Sequence, residues 1–228
     1  MNKFAMKKLF ILIPAYNEED SISTVISLIP PIPECDLRII VIDDGSTDKT
    51  RVLAIKEGAI VLSNSFNMGL ALAFRKGVKF CIDNNADILL ILDADGQYSP
   101  KQIPTLIEPL LHNKSDLTIG NRFLKESQYN ESLVKYLINY FVSFFISRIL
   151  LRKRSVYDIQ SSFRAFTRDL GKFLLNNLKG KYNYAQELFM LVSLFGFRIT
   201  QIPIKCQERK NGKSRLIRNP FIHLYQIL

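Results

Sequence analysis

The feature that most constrains this chain is an alternation of short apolar runs with amphipathic stretches. Lys8 to Ile13, Arg38 to Asp43, Ile60 to Ser63 and Ile88 to Asp93 are apolar runs bounded by turn formers or charges, and they read as buried strands. Between them lie helical patterns at Glu19 to Ile29, Thr47 to Glu57 and Leu70 to Ile82, closed respectively by Pro30, Gly58 and Asp83-Asn84-Asn85. Strand followed by helix, repeated, predicts an α/β fold with a mainly parallel central sheet flanked by helices. Lys101 to His112 continues as a helix, Leu117 to Ile119 as a strand, Asn183 to Phe195 as a helix and Arg198 to Ile204 as a strand. No internal repeat and no long linker interrupts the pattern, so residues 1–228 are expected to form a single domain.

Composition narrows the chemistry. Lys plus Arg number 31 against 21 Asp plus Glu, and the net charge of +10 calls for an anionic partner. No nucleic-acid recognition motif accompanies that charge, which leaves a phosphorylated ligand or a membrane surface. With only two histidines, His112 and His223, catalysis falls to carboxylates or a bound metal. Cys35, Cys81 and Cys206 are too far apart for a zinc ribbon or disulfide framework, and a reducing cytosol is the simplest compartment. The apolar part of the N-terminus is too short for a signal peptide and runs directly into Glu18, Glu19 and Asp20.

Leu133 to Leu151 is the most apolar stretch, but Lys135 and Arg148 interrupt it and it is too short to span a bilayer. On a helix, Lys135, Asn139, Ser143 and Ser147 form a narrow polar stripe. Such a helix is either core or lies in a membrane interface, and the aromatics followed by Arg148, Arg152, Lys153 and Arg154 suit a headgroup boundary.

In an open parallel sheet, ligands bind beyond the carboxyl ends of the strands. Three strands here end in polar clusters: Pro14-Ala15-Tyr16-Asn17-Glu18, Asp43-Asp44-Gly45-Ser46 and Asp93-Ala94-Asp95-Gly96-Gln97. Two carboxylates at i and i+2 beyond a strand offer hard oxygen ligands on one side, as Mg2+ or Mn2+ requires when a diphosphate fills other positions. The same spacing also suits a Ca2+ loop or a solvated turn, although the EF-hand pattern fails. A carboxylate of Asp43-Asp44 can accept from a nucleobase N–H, while Ser46 and Thr47 read as a turn with a helix cap. No GxGxxG is present, and Gln207 stands where a Walker loop ending at Gly212-Lys213-Ser214 needs its first glycine. The basic run Arg209 to Arg215 reads as either an exposed charged loop or a cover for a diphosphate.

These pieces, in this order, resemble the family-2 glycosyltransferases of the GT-A fold, and among them the polyprenol-phosphate sugar synthases of the dolichol-phosphate mannose type. The carriers are Ile13-Pro14-Ala15-Tyr16-Asn17-Glu18-Glu19, Val41-Ile42-Asp43-Asp44-Gly45-Ser46-Thr47-Asp48, Asn67-Met68-Gly69, Asp93-Ala94-Asp95-Gly96-Gln97, Gly120-Asn121-Arg122-Phe123, Ser162-Phe163-Arg164-Ala165-Phe166 and Arg209 through Arg215. The resemblance implies that Pro14, Tyr16, Glu18, Ile42 and Asp44 hold the nucleotide of a GDP- or UDP-sugar. It implies that Asp93, Ala94 and Asp95 lie at the diphosphate and that Asp95 and Gln97 are nearest a Mg2+ or Mn2+ ion. Arg122, Arg209 and Arg215 would contact phosphates, and Lys135 and Asn139 would meet the acceptor phosphate. Two departures stand out: Ser162 replaces the usual Gly, and Arg215 a common Lys.

The implied activity is inverting, metal-dependent transfer of a sugar to a polyprenyl phosphate by a cytoplasmic enzyme associated peripherally with the membrane, with Asp93, Asp95, Arg122, Arg164 and Glu187 as the catalytic set. A phosphomonoester is a dianion near neutral pH, its second pKa being roughly 6, and needs no general base. A sugar hydroxyl as acceptor, in polysaccharide or glycolipid synthesis, would need one, and Glu187 or Asp158 would supply it. Outside chemistry, Glu187 reads as an exposed helix residue and Asp158 as a turn residue or ion-pair partner of Arg164. A non-catalytic nucleotide-binding membrane adaptor is the alternative from another class.

Overall fold

A computed structural model describes residues 6–129, 133–180 and 184–207. β1 (Lys7–Ala15) lies inside a seven-stranded sheet. β2 (Cys35–Asp43) and β3 (Ile60–Ser63) follow on one side of it and β4 (Ile88–Ile91) on the other, all parallel. Beyond β4, β5 (Leu117–Asn121), β7 (Arg164–Thr167) and β8 (Ile199–Pro203) complete the order β3-β2-β1-β4-β7-β5-β8. β7 alone among these seven runs against its neighbours. The two-residue strands β6 (Gln128–Tyr129) and β9 (Lys205–Cys206) pair apart from the sheet.

Period-two alternation divides the core. Leu9, Ile11 and Ile13 of β1 face α1 (Ile22–Ser27), α2 (Thr50–Lys56) and α4 (Ile103–Leu111), whereas Phe10 and Leu12 face α3 (Leu70–Asp83), α6 (Arg168–Asn177) and α7 (Tyr184–Leu194). Both faces are covered by helices, which is why the strands read as continuous apolar runs in the sequence. α3 packs close because Gly77 leaves room: a Cβ there would stand 2.9 Å from Ile42 Cδ1.

The observed strands match the expected ones, with one change that matters for the site. β4 ends at Ile91, so Asp93 lies two residues beyond the strand, just before the turn at Ala94 and Asp95. Neither β7 nor α6 follows from the hydrophobic pattern. β7 is only four residues long and opens with a charge. α6 carries local signals, since Thr167 Oγ1 accepts from the Leu170 amide and Asp169 stands in the first turn.

The stretch expected as core or interfacial forms α5 (Leu133–Phe144) and a π-helical continuation, Phe145–Leu150. Two members of its polar stripe, Ser143 and Ser147, point inward. Ser143 and Ser147 are fully buried and accept hydrogen bonds from the Ile159 and Tyr157 amides at 3.2 and 3.1 Å. The apolar side points outward, with Leu133 and Phe141 about as exposed, at 70% and 69%, as any large apolar side chain described. Ordinary core packing is therefore not what this helix does. Among the described residues, no helix is long and apolar enough to cross a membrane.

Candidate active site

Strand order reverses between β1 and β4, where the chain leaves β3 and crosses to the far side of β1. Such a switch point opens a crevice beyond the carboxyl ends, and the three polar clusters border it.

At the tip of β2, the Asp44 carboxylate is nearly spent. Oδ1 accepts from Asn64 Nδ2 (2.7 Å) and the Met68 amide (2.9 Å), and Oδ2 from the Gly69 amide (2.8 Å). Asp44 thus shapes the loop carrying Asn67-Met68-Gly69, with little capacity left for a base. Gly45 is required beside it: φ is +77°, and a Cβ would lie 2.5 Å from the Phe66 carbonyl carbon. Ser46 and Thr47 do not cap α2, contrary to expectation, because α2 begins only at Thr50. They bind the β1 tip instead: Ser46 Oγ accepts from the Asn17 amide (2.9 Å), and the Thr47 amide donates to Asn17 Oδ1 (2.7 Å). Tyr16 and Glu18 on that tip are half-buried, as is Pro14, whereas the Ile42 side chain is packed in the core under α3.

Beyond β4, the Ser162 hydroxyl donates to Asp93 Oδ2. Burial pushes the Asp93 carboxyl up, Ser162, Arg164 and Arg122 pull it back, and Glu18 adds to the rise. Asp93 therefore lies within electrostatic reach of Arg164, Arg122 and Glu18. Asp95 Oδ1 accepts from the Gln97 amide at 3.0 Å, which folds Asp95-Gly96-Gln97 into a tight turn, and Gln207, just after β9, closes it through a 2.9 Å bond from its amide to the Gln97 carbonyl. Among the described residues, no three His, Cys, Asp or Glu side chains converge as a protein-only metal site. One carboxylate and one amide oxygen, from Asp95 and Gln97, suit a hard divalent cation that takes its other ligands from a diphosphate and water.

Arg122 and Arg164 are the buried cations of the site. Arg122 donates to Asp158 three times: Nε at 2.6 Å, Nη2 at 2.9 Å and the backbone amide at 3.1 Å. Burial disfavours its charge, but the Asp158 carboxylate, together with Tyr98 and Cys206, raises its pKa well above the ordinary value. The sequence pairing of Asp158 with Arg164 is thus corrected, since the partner lies 36 positions away in Arg122. No local signal marks that pairing. Arg164 is fully buried; its Nη2 donates to the Ile159 and Ser161 carbonyls, while Nε and Nη1 have no protein acceptor. Burial lowers its pKa despite the nearby Tyr184, Asp158 and Asp93.

The other expected residues lie further out. Glu187 accepts from the Lys179 and Gly180 amides at 2.8 and 2.7 Å and so holds the α6–α7 connection. Asn139 is half-buried on α5, and Lys135 precedes it by one turn. Beside them, the rings of Tyr136 and Tyr140 meet Phe123, the neighbour of Arg122, edge-on at 5.4 and 5.3 Å. Arg209 and Arg215 lie outside the described residues.

A cleft of about 520 Å3 opens on the other side of Asn64, lined in part by Arg75 and Lys76. These two and Lys79, the third cation of the lining, are committed: Arg75 donates to the Leu175 and Leu178 carbonyls, Lys76 to the Ser63 carbonyl and Asn64 Oδ1, and Lys79 to Asp83. It is no rival to the switch-point crevice as an anion site.

Residues 10–174 match the model of glycosyl transferase family 2. The chain belongs to that family. It is 33% identical over 217 residues to an uncharacterized protein of Methanocaldococcus jannaschii, covering 94% of this chain and 88% of that one. It is also 30% identical to the UDP-N-acetylglucosamine–dolichyl-phosphate N-acetylglucosaminyltransferase of Methanococcus voltae, over 88% of this chain and 86% of the relative. Among solved structures, glucosyl-3-phosphoglycerate synthase of Mycobacterium tuberculosis, crystallised with Mn2+ and UDP-glucose, superposes with a TM-score of 0.71 at 22% identity, over 97% of this chain and 79% of that one. The fold is therefore that of the GT-A glycosyltransferases, and the chain is a glycosyltransferase related to polyprenol-phosphate sugar transferases.

Proposed function

We propose that this glycosyltransferase moves a sugar from a nucleoside-diphosphate sugar to a polyprenyl phosphate at a membrane surface, with inversion at the anomeric carbon. The observation that carries the reading is the fate of the two candidate bases. Asp158 is fully buried on Arg122, and Glu187 is committed to two backbone amides, so neither is poised to deprotonate a sugar hydroxyl. An acceptor that arrives as a phosphate dianion needs no such base.

In this reading the donor nucleotide lies along the β1 and β2 tips, at Pro14, Tyr16, Glu18, Ile42 and the loop organised by Asp44. Its diphosphate lies at Asp93, Ala94 and Asp95. Asp95 and Gln97 hold the divalent cation, Mg2+ or Mn2+, which when bound would neutralise charge growing on the leaving diphosphate. Arg122, kept charged by Asp158, faces the same charge, and Arg164, buried beneath the site, adds a positive field without touching the diphosphate. An acceptor phosphate oxygen attacks the anomeric carbon as the bond to the diphosphate breaks, and the electron pair leaves with the nucleoside diphosphate. Lys135 and Asn139 belong to α5, the helix whose Tyr136 and Tyr140 meet Phe123 beside Arg122, and would receive the acceptor phosphate. Arg209 and Arg215 are assigned to the donor phosphates on the sequence pattern alone. The outward apolar side of α5, flanked by Arg148, Arg152, Lys153 and Arg154, would rest on anionic lipid.

The test is transfer from radiolabelled UDP- and GDP-sugars, with Mn2+, to undecaprenyl or dolichyl phosphate in vesicles. Label in a mild-acid-labile lipid product is expected, and its loss in Asp95→Asn. Label appearing only in free oligosaccharide acceptors would overturn the proposal.

A further inference from the structure

α5 and its π-helical continuation, taken together as α5 below, hold both ends of the ion pair at the centre of the site. Ser143 and Ser147 accept from the backbone amides of Ile159 and Tyr157, the residues on either side of Asp158, with the Ile159 amide shared with the Tyr157 carbonyl. Tyr136 and Tyr140 lay their ring edges on Phe123, whose own ring centre is 6.0 Å from the Arg122 guanidinium carbon. Asp158 and Arg122 thus sit between two grips of one helix, four residues of which form the polar stripe singled out in the sequence.

The helix itself is weakly seated from the protein side. Of its apolar residues only Val142 and, in the π-helical continuation, Ile146 are buried, while Leu137, Phe141, Phe145 and Ile149 stand in water. Little burial on the inside and much exposure on the outside mean local opening at low cost. A lipid surface covering the outer side removes that exposure and restrains the helix, and with it the segments that carry Asp158 and Arg122. The four cations after Ser147 select an anionic lipid surface over a second copy of this chain, which would bring like charges together.

We propose that α5 is a positioning element: Ser143 and Ser147, with Tyr136 and Tyr140 through Phe123, hold the Arg122–Asp158 pair beside Asp93, so that seating on anionic lipid and binding of the donor diphosphate strengthen each other. The coupling rests on the membrane reading above. Because linkage is reciprocal, vesicles that tighten nucleotide binding must themselves be bound more tightly in the presence of nucleotide, by the same factor. Ser143 and Ser147 touch neither substrate in this scheme. Their hydroxyls act on the site only through the backbone of Tyr157 and Ile159.

Two measurements decide it. The dissociation constants of UDP and GDP, each with Mn2+, are determined with no vesicles, with phosphatidylcholine vesicles, and with vesicles that also contain phosphatidylglycerol. In parallel, amide exchange at Tyr157 and Ile159 is followed under the same conditions without nucleotide. Wild type is expected to bind nucleotide about fivefold or more tightly on the anionic vesicles and to exchange both amides more slowly there. Ser143→Ala/Ser147→Ala is expected to keep its vesicle affinity but lose both responses, and Ser147→Thr, which retains an acceptor oxygen, to recover the Tyr157 response. If wild type binds anionic vesicles and yet neither nucleotide affinity nor exchange changes, the coupling is wrong and the membrane reading survives. If wild type does not bind vesicles, both fall. If neither nucleotide binds, the donor reading falls, and exchange alone decides whether lipid reaches the Asp158 segment. The wild-type arms stand even if the double variant does not fold.

Discussion

Replacing Asp158 by alanine separates a buried, functional ion pair from a decorative one. Asp158 is fully buried and its partner Arg122 only 6% exposed, so the substitution leaves a guanidinium in the interior without its counter-charge and takes the acceptor from three donors at once. Arg164, equally buried, loses a nearby negative charge as well. Removing one member of a buried pair costs about 3–5 kcal/mol, and for a chain of this size each kcal/mol is worth roughly 2–4 °C. A fall in Tm of roughly 6–20 °C is expected on those two scales. The control is Asp36→Ala, which breaks an exposed 3.7 Å contact with Arg38 and is expected to cost about 0–1 kcal/mol. Urea titrations of wild type, both single variants and Arg122→Ala/Asp158→Ala measure the difference. The double variant should cost less than the sum of its singles, because the second substitution removes the charge stranded by the first. A loss for Asp158→Ala no larger than that of the control would refute the argument that this pair is desolvated and mutually dependent.

Phe141→Asp, on the outward side of α5, should leave the unfolding free energy from urea titration within about 0.5 kcal/mol of wild type and sharply weaken sedimentation with anionic vesicles; a loss of several kcal/mol would return the helix to the core. Gly45→Ala should destabilise by more than about 1 kcal/mol and weaken nucleotide binding, since the added methyl meets the Phe66 backbone and displaces the loop held by Asp44; wild-type behaviour in both assays would show that the turn has other conformations open to it. Asp116 is held below the usual carboxylate range by its hydrogen bond from Arg198, against the effect of burial. A depressed carboxyl contributes stability that is full above its unfolded value of about 3.9 and is lost as pH falls through the lower folded value. Arg198→Ala should therefore be less damaging near pH 2 than near pH 6, and an equal loss in urea at both would argue against the linkage.

Much of this architecture is legible in the sequence because burial on both sides writes a strand as an apolar run, and Ile60 to Ser63 is recovered to the residue. The clusters ending β1, β2 and β4 also mark the ligand edge, as position in an α/β sheet requires. What the pattern conceals is long-range pairing. Asp158 and Arg122 belong to different loops, and only the folded chain brings them into contact. β7 is hidden because its first residue is an arginine that hydropathy assigns to the surface, although Arg164 is buried. The stripe on α5 shows the opposite failure. Periodicity identifies Ser143 and Ser147 as one side of a helix, but polar residues are expected to face water, and here two amide donors draw them inward. Asp44 illustrates a third case: its residue type suits a base contact, while three donors from the Asn64–Gly69 loop claim it first.

The single reversed strand has a consequence for how the protein is made. β4 bonds on one side to β1, which precedes it, and on the other to β7, which leaves the ribosome long afterwards, and β5 reaches the sheet only through that same late strand. At about 5–20 residues per second, a nascent chain spends several seconds with the apolar edge Ile88-Leu89-Leu90-Ile91 complete but unpaired. An exposed, uncharged strand edge is a template for wrong partners. Slowing translation between Asn121 and Arg164 should thus raise the aggregated fraction, and chaperones that shield strand edges should matter most in that interval of synthesis.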